Sequence, residues 1–149
     1  MTSSPLSGCG TALVTPFAAN GGVDEAALRR AIGKDGVILL HGGGNFGDLW
    51  KRHQLFRETV IAAFPDNSIV ILPQTVYFRD KQTLHRAASV LNSHENLTIL
   101  ARDQSSLDLL QTFFKARALL CPDLAFCLAP LPRRTMAAHD IVFLARTDQ

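Results

Sequence analysis

Apolar residues recur along this chain in short blocks separated by stretches of a different period. Val37-Ile38-Leu39-Leu40, Ile69-Val70-Ile71-Leu72, Leu97-Thr98-Ile99-Leu100-Ala101, Ala118-Leu119-Leu120 and Ile141-Val142-Phe143-Leu144 have the length and the branched, apolar content of buried strands. Between them the period becomes that of a helix. Leu49, Trp50, His53, Phe56, Val60, Ile61 and Phe64 fall on one face of a helix expected over residues 48–64, with Lys51, Arg52, Arg57 and Glu58 mostly off that face. A second helix is expected from Lys81 to Leu91. A third is expected from Ser105, read as the N-cap with Asp108 three residues on, to about Lys115. Strands about every thirty residues with helices between them predict an α/β fold, a mostly parallel sheet flanked by helices and built from βαβ units.

Ahead of Val37 the rhythm is different. Thr11 to Phe17 reads as a short strand ending at a proline and Ala18 to Gly22 as a turn. Val23 to Ile32 has helical period, with Asp24 near its start and Arg29-Arg30 near its end, an arrangement that complements the helix dipole. At the other end, Pro130, Pro132 and Arg133-Arg134 mark an exposed loop.

Composition narrows the classes. The 149 residues suffice for one domain, and 47% apolar with 19% charged residues is an ordinary globular balance. A net charge of +2, with no like-charge run longer than Arg29-Arg30 or Arg133-Arg134, excludes the basic patch of a nucleic-acid surface. No apolar run approaches the ~20 residues needed to span a bilayer. The first residues show neither the basic nor the apolar region of a signal peptide, so a cytoplasmic protein is expected. Cys9, Cys121 and Cys127 have no metal-like spacing and are expected to be inert core thiols.

Ligands of an open parallel sheet lie beyond the carboxyl ends of its strands. That places His41 to Asp48, Gln74-Thr75, Arg102-Asp103 and Arg146 to Asp148 on one rim. The first of these groups contains Gly42, Gly43 and Gly44 and reads as a tight turn able to bring bare backbone N–H groups to an anion. Gly42, Gly44 and Gly47 match G-x-G-x-x-G formally, but the next strand ends in Pro73-Gln74-Thr75 where a dinucleotide site needs an acid. A turn serving close packing alone is the other reading. Asn45 can donate and accept. Asp48 either accepts a proton from a hydroxyl or caps the helix, and His41 either acts as acid or base or packs at the strand end. Gln74 lines the rim or satisfies the turn, His53 and Trp50 are expected to pack, Arg57 is expected to be solvated, and Arg146 ends a strand on the rim.

Two resemblances add to this. Gly8-Cys9-Gly10-Thr11-Ala12-Leu13-Val14-Thr15-Pro16-Phe17, with Gly21 to Asp24 and Ala26 to Arg30, resembles the opening of dihydrodipicolinate synthase, where it forms the first βα unit of a barrel. The family's Gly-Thr-Thr-Gly-Glu turn and its Schiff-base lysine setting are absent, and a barrel needs ~250 residues. The second is the wider string His41-Gly42-Gly43-Gly44-Asn45-Phe46-Gly47-Asp48-Leu49-Trp50, with Arg52-His53-Gln54, Phe56-Arg57-Glu58, Phe64-Pro65-Asp66 and Leu72 to Phe78. Together with Cys121-Pro122-Asp123-Leu124-Ala125-Phe126 and Leu144-Ala145-Arg146-Thr147-Asp148, it is similar to the polysaccharide pyruvyl transferase family.

That second resemblance implies a GT-B-like half and transfer of a pyruvyl group from phosphoenolpyruvate, as donor substrate, to a sugar of an exopolysaccharide or cell-wall polymer. It needs no metal or other cofactor. On this reading residues 1–35 are an aldolase-like leader and residues 36–149 a truncated pyruvyl transferase-like domain, with little turnover of its own. His41 and Asp48 are the candidate catalytic residues. Gly42, Gly43, Gly44, Asn45, Gln74 and Arg146 are the candidate substrate-binding residues. A lyase and a non-catalytic interaction domain are the alternatives.

Overall fold

The structure, a computed structural model, describes residues 24–127. The expected strands at Thr11–Phe17 and Ile141–Leu144, the loop at Pro130–Arg134, Cys9 and Arg146 lie outside those residues.

In chain order the elements are α1 (Glu25–Ile32), β1 (Val37–Leu40), β2 (Gly43–Gly47), α2 (Lys51–Ala63), β3 (Ser68–Tyr77), α3 (Lys81–Leu91), β4 (Leu97–Ala101), α4 (Gln104–Phe113) and β5 (Arg117–Leu120), followed by a short 3-10 turn at Leu124–Cys127. Among the described residues every strand pairing is parallel, in the order β1-β3-β4-β5, with β2 pairing β3 beyond β1. The sheet advances in one direction, so right-handed crossovers lay α2, α3 and α4 on the same face. Burial follows that geometry. Ile69, Ile71, Leu97 and Ile99 are buried beneath the helices together with Leu40, Ile61, Leu91 and Leu110, whereas Val37, Leu39 and Leu119 are exposed. Each fully buried Ile or Leu contributes about 2–3 kcal/mol.

Three elements differ from expectation. The second strand runs ten residues, Ser68–Tyr77, straight through Pro73 instead of ending there. Pro73 is buried and has no N–H to donate, and pairing on both flanks breaks opposite it. β1 stops at Leu40↔Ile71 and β2 resumes at Gly43↔Gln74, while the β3–β4 register shifts between Ile71 and Gln74. The glycine run is therefore not a turn. Gly43–Gly47 is a short irregular strand that continues the sheet edge after a break at His41-Gly42. Gly43 and Gly47 sit at φ 124° and 132°, values that favour glycine.

The third difference is the face of α2. Gln54, Arg57 and Glu58 are buried with Ile61, while Leu49, Trp50, His53, Leu55 and Phe56 are exposed. The polar stripe turns inward because each member finds a partner there, as buried polar groups require. Gln54 Oε1 accepts from Gly47 N (3.1 Å) and from Arg57 Nη1 (2.8 Å). Gln54 Nε2 donates to Glu58 Oε1 (2.9 Å), and Arg86 of α3 reaches Glu58 Oε2 at 2.7 Å.

α4 begins at Gln104 with Asp103 as its N-cap, accepting from Ser106 N; Ser105 does not cap it. Cys121 is partly exposed and Cys127 exposed, so neither is a core thiol. The expected boundary at residue 35 falls inside a stretch held on both sides. Asn67 Nδ2 donates to the carbonyls of Gly33, Lys34 and Gly36, and Arg29 of α1 lies 4.9 Å from the centroid of the Phe64 ring.

Candidate functional site

The glycine strand brings together groups from four elements. A Cβ on Gly44 would stand 3.3 Å from Arg102 Nη2, so the guanidinium of the residue after β4 closes on the side-chain-free backbone of Gly44. Arg102 is held in that pose by Thr75, whose hydroxyl accepts from Nε (2.7 Å), and by Asp123, whose Oδ2 accepts from Nη1 (2.9 Å). Thr75 in turn donates to Asp103 Oδ2 at 2.9 Å. Beside Arg102 opens a cleft of about 530 Å³, lined by Thr75, Asp103, Leu120, Pro122, Asp123 and the exposed ring of Phe126.

The carboxylates of this cleft are ionised. Burial works to raise Asp103, but hydrogen bonds from Ser106 and Thr75 and the charge of Arg102 leave it below the usual carboxylate value. Asp123 is held low by the N–H of Ala125 and by Arg102. A single guanidinium between two ionised aspartates is a directional donor rather than a diffuse positive patch.

On the other flank Asn45 Oδ1 accepts from Arg57 Nη2 at 2.8 Å, and its Nδ2 lies 3.5 Å from where a Cβ on Gly43 would be. Arg57 is fully buried, stacks 4.5 Å over the Phe46 ring and is pushed down to about 10, chiefly by burial. His41 lies edge-on to His53, ring centroids 5.6 Å apart, and Trp50 packs against His53 from outside. Partial burial, then the nearby charges of Arg57 and His53, lower the His41 pKa from its ordinary value of 6.5. A neutral imidazole at neutral pH can take a proton.

The other expected site residues are placed differently. Gln74 is completely buried and donates from Nε2 to the carbonyl of His41, bridging the gap between β1 and β2 opposite Pro73. Asp48 caps no helix; its Oδ2 accepts from Arg79 N (2.8 Å) and Asp80 N (2.7 Å) and ties the end of β2 to the start of α3. Gly42 packs against β3, since a Cβ there would meet Pro73 O at 2.8 Å. Gly44 thus meets Arg102 and Asn45 meets Arg57, with Gly43 beside the Asn45 amide, while Gln74 and Asp48 brace the two ends of the strand.

Sequence reasoning put Arg102 and Thr75 on the rim but singled out neither, and it sent Arg57 to solvent. The cue for Arg57 was available: Gln54, Arg57 and Glu58 repeat at the same i, i+3, i+4 spacing as the apolar stripe. Among the described residues, no group of three or more His, Cys, Asp or Glu side chains is placed to hold a metal ion, and no helix is long and apolar enough to cross a membrane.

Comparison with known proteins gives one consistent result. The family model for polysaccharide pyruvyl transferase matches residues 22–144. The chain is 36% identical over 126 residues to the putative pyruvyl transferase EpsO of Bacillus subtilis (strain 168), covering 84% of this chain and 39% of that protein. It is 36% identical over 117 residues to pyruvyl transferase 1 of Schizosaccharomyces pombe, covering 75% of this chain and 29% of that one. General stress protein 30 of B. subtilis is 28% identical over 140 residues, covering 91% of this chain and 40% of its own length. The chain thus spans two fifths or less of the length of these curated relatives. None of these findings supports the aldolase resemblance of residues 8–32, and the family match takes in α1. Over residues 22–144, α1 included, the chain belongs to the polysaccharide pyruvyl transferase family.

Proposed function

We propose that this chain supplies one wall of a site that transfers a pyruvyl group from phosphoenolpyruvate to a sugar of an extracellular or cell-wall polysaccharide. The observation that carries the reading is the pose of Arg102, whose Nη2 is aimed at the bare backbone of Gly44 while Thr75 and Asp123 hold its other nitrogens. A fixed guanidinium against a side-chain-free strand suits a carboxylate or phosphoryl oxygen, which needs close approach and paired donors. The cleft beside it, with Asp123, Thr75 and the open face of Phe126, has the hydroxyl-bonding groups and aromatic surface that a sugar ring uses.

Ketal formation balances as follows. One sugar hydroxyl adds to C2 of phosphoenolpyruvate as C3 gains a proton; a second hydroxyl then replaces the phosphate, which leaves carrying the second proton. His41, whose cation is disfavoured by burial and by the charges of Arg57 and His53, is assigned the role of taking a hydroxyl proton. Gly43, Gly44 and Asn45 hold the donor. Asp48 and Gln74 keep the strand and its neighbouring loop in place.

The test is a titration of the isotope-labelled chain with phosphoenolpyruvate. The amide signals of Gly43, Gly44 and Asn45 shift, and Arg102→Gln weakens binding at least tenfold. Unmoved glycine amides, or equal affinity in Arg102→Gln, would refute the site. Borohydride trapping with pyruvate separates the lyase reading, for which a covalent adduct is required.

A further inference from the structure

Arg57 has no place in the chemistry above and is too deeply buried to touch a ligand, yet one of its bonds decides how the site wall is polarised. A guanidinium carries donors and no acceptor. The atom of Asn45 that meets Arg57 Nη2 at 2.8 Å is therefore the carbonyl Oδ1, and the amide cannot turn over without setting NH₂ against NH₂. The rest of the network prevents Arg57 from yielding. Its Nη1 is bonded to Gln54 Oε1, its Cζ lies over the Phe46 ring 4.5 Å from the centroid, and Gln54 is itself fixed by Gly47 N and Glu58. The Asn45 NH₂ then lies over Gly43, where a Cβ would be 3.5 Å away, and among the described residues no acceptor takes its hydrogens.

We propose that Arg57 is a positioning residue that locks the Asn45 amide with Nδ2 toward the ligand, so that position 45 acts only as a donor to a ligand oxygen. This deepens the proposed function and rests on it: the glycine strand then offers donors from both flanks, Arg102 beside Gly44 and Asn45 over Gly43, to one anionic or carbonyl oxygen group. A ligand that presents a donor at that point meets no acceptor.

The locked amide makes an unusual ordering of variants. Asn45→Asp keeps the bond to Arg57 and gives that buried cation a counter-charge, but presents an oxygen outward. Asn45→Ala loses the bond and presents nothing. If position 45 only supported the fold, Asp would be the milder change. The expected result is the reverse for binding. In calorimetric titration with phosphoenolpyruvate, Asn45→Asp weakens affinity tenfold or more and Asn45→Ala three- to fivefold, while Asn45→Asp melts at or above the temperature of the parent and Asn45→Ala below it.

An Asn45→Ala loss equal to or greater than that of Asn45→Asp overturns the inference, as does an Asn45→Asp chain that fails to fold, because a donor-only neighbour must accept a carboxylate. If Arg102→Gln loses phosphoenolpyruvate binding while both Asn45 variants retain it, the inference falls and the site reading stands. If Arg102→Gln also retains it, the site reading falls and takes the inference with it.

Discussion

The carbonyl oxygen of Tyr77 occupies the space in which a side chain on Gly47 would begin: a Cβ there would stand 1.6 Å from it. Gly47 also sits at φ 132°, where L residues are strained. Gly47→Ala is expected to destabilise the chain by about 3 kcal/mol or more, read as loss of soluble protein or a large fall in Tm. Gly44→Ala meets only one side-chain atom, Arg102 Nη2, at 3.3 Å. It keeps the fold to within about 1 kcal/mol and shows its effect in phosphoenolpyruvate affinity instead.

The two stripes of α2 make opposite predictions from those of their hydropathy. Phe56 is 54% exposed, and Phe56→Ser is expected to change stability by less than about 0.5 kcal/mol. Glu58 is 4% exposed and bonded to Gln54 and Arg86, and Glu58→Ala is expected to cost about 1–3 kcal/mol by stranding both partners. Urea denaturation of the two variants side by side checks the ranking.

Asp48 is expected to reveal itself through the loop it holds. Asp48→Ala leaves the exposed N–H groups of Arg79 and Asp80 to water in place of their acceptor and costs about 0.5–1.5 kcal/mol. Asp48→Asn keeps an oxygen in place and costs less. Exchange of the Arg79 and Asp80 amides, measured by NMR, should accelerate in the alanine variant first.

His41 should titrate below 6.5, because burial and the charges of Arg57 and His53 disfavour its cation. A base with a lowered folded pKa binds fewer protons in the native state than in the unfolded one. Its contribution to stability is therefore full above the unfolded value and is lost as pH falls through the folded one. His53→Asn removes one repelling charge and moves the His41 midpoint upward. An unchanged midpoint in the imidazole proton spectrum would contradict this electrostatic account.

Much of this architecture could be read from the residues. Val37–Leu40, Lys81–Leu91 and Leu97–Ala101 lie where the apolar runs and helical period place them. Leu40, Leu97, Ile99 and the Leu84–Leu91 face of these elements are buried in the core between sheet and helices, so hydropathy reports them directly. The glycine run was misread for a physical reason. Glycine is the signature of a turn, and here the same missing side chains let a strand lie flush against Pro73 and Tyr77. Nor does periodicity alone fix which face of α2 turns inward when two stripes share a spacing. The inward face was decided by Gly47 N and Asn45 Oδ1, partners that are distant from Arg57 in sequence. The convergence on Arg102 was half legible: strand order put it on the rim, but only Thr75 and Asp123 show where its guanidinium is held.

Pro73 gives the sheet a seam with a kinetic consequence. Below it, Ile38 to Leu40, Ile69 to Ile71, Ile99 and Ala118 form an uninterrupted ladder over the apolar core. Above it, the glycine strand is joined to β3 at Gly43, Phe46 and Gly47 only. Hydrogen exchange should therefore divide into two classes. The amides of the lower ladder should exchange only when the whole domain opens, and those of Gly43 to Gly47 by a local opening of much lower free energy. The two halves of one edge would then move on different clocks, with the glycine half free to breathe while the half that holds the fold stays shut.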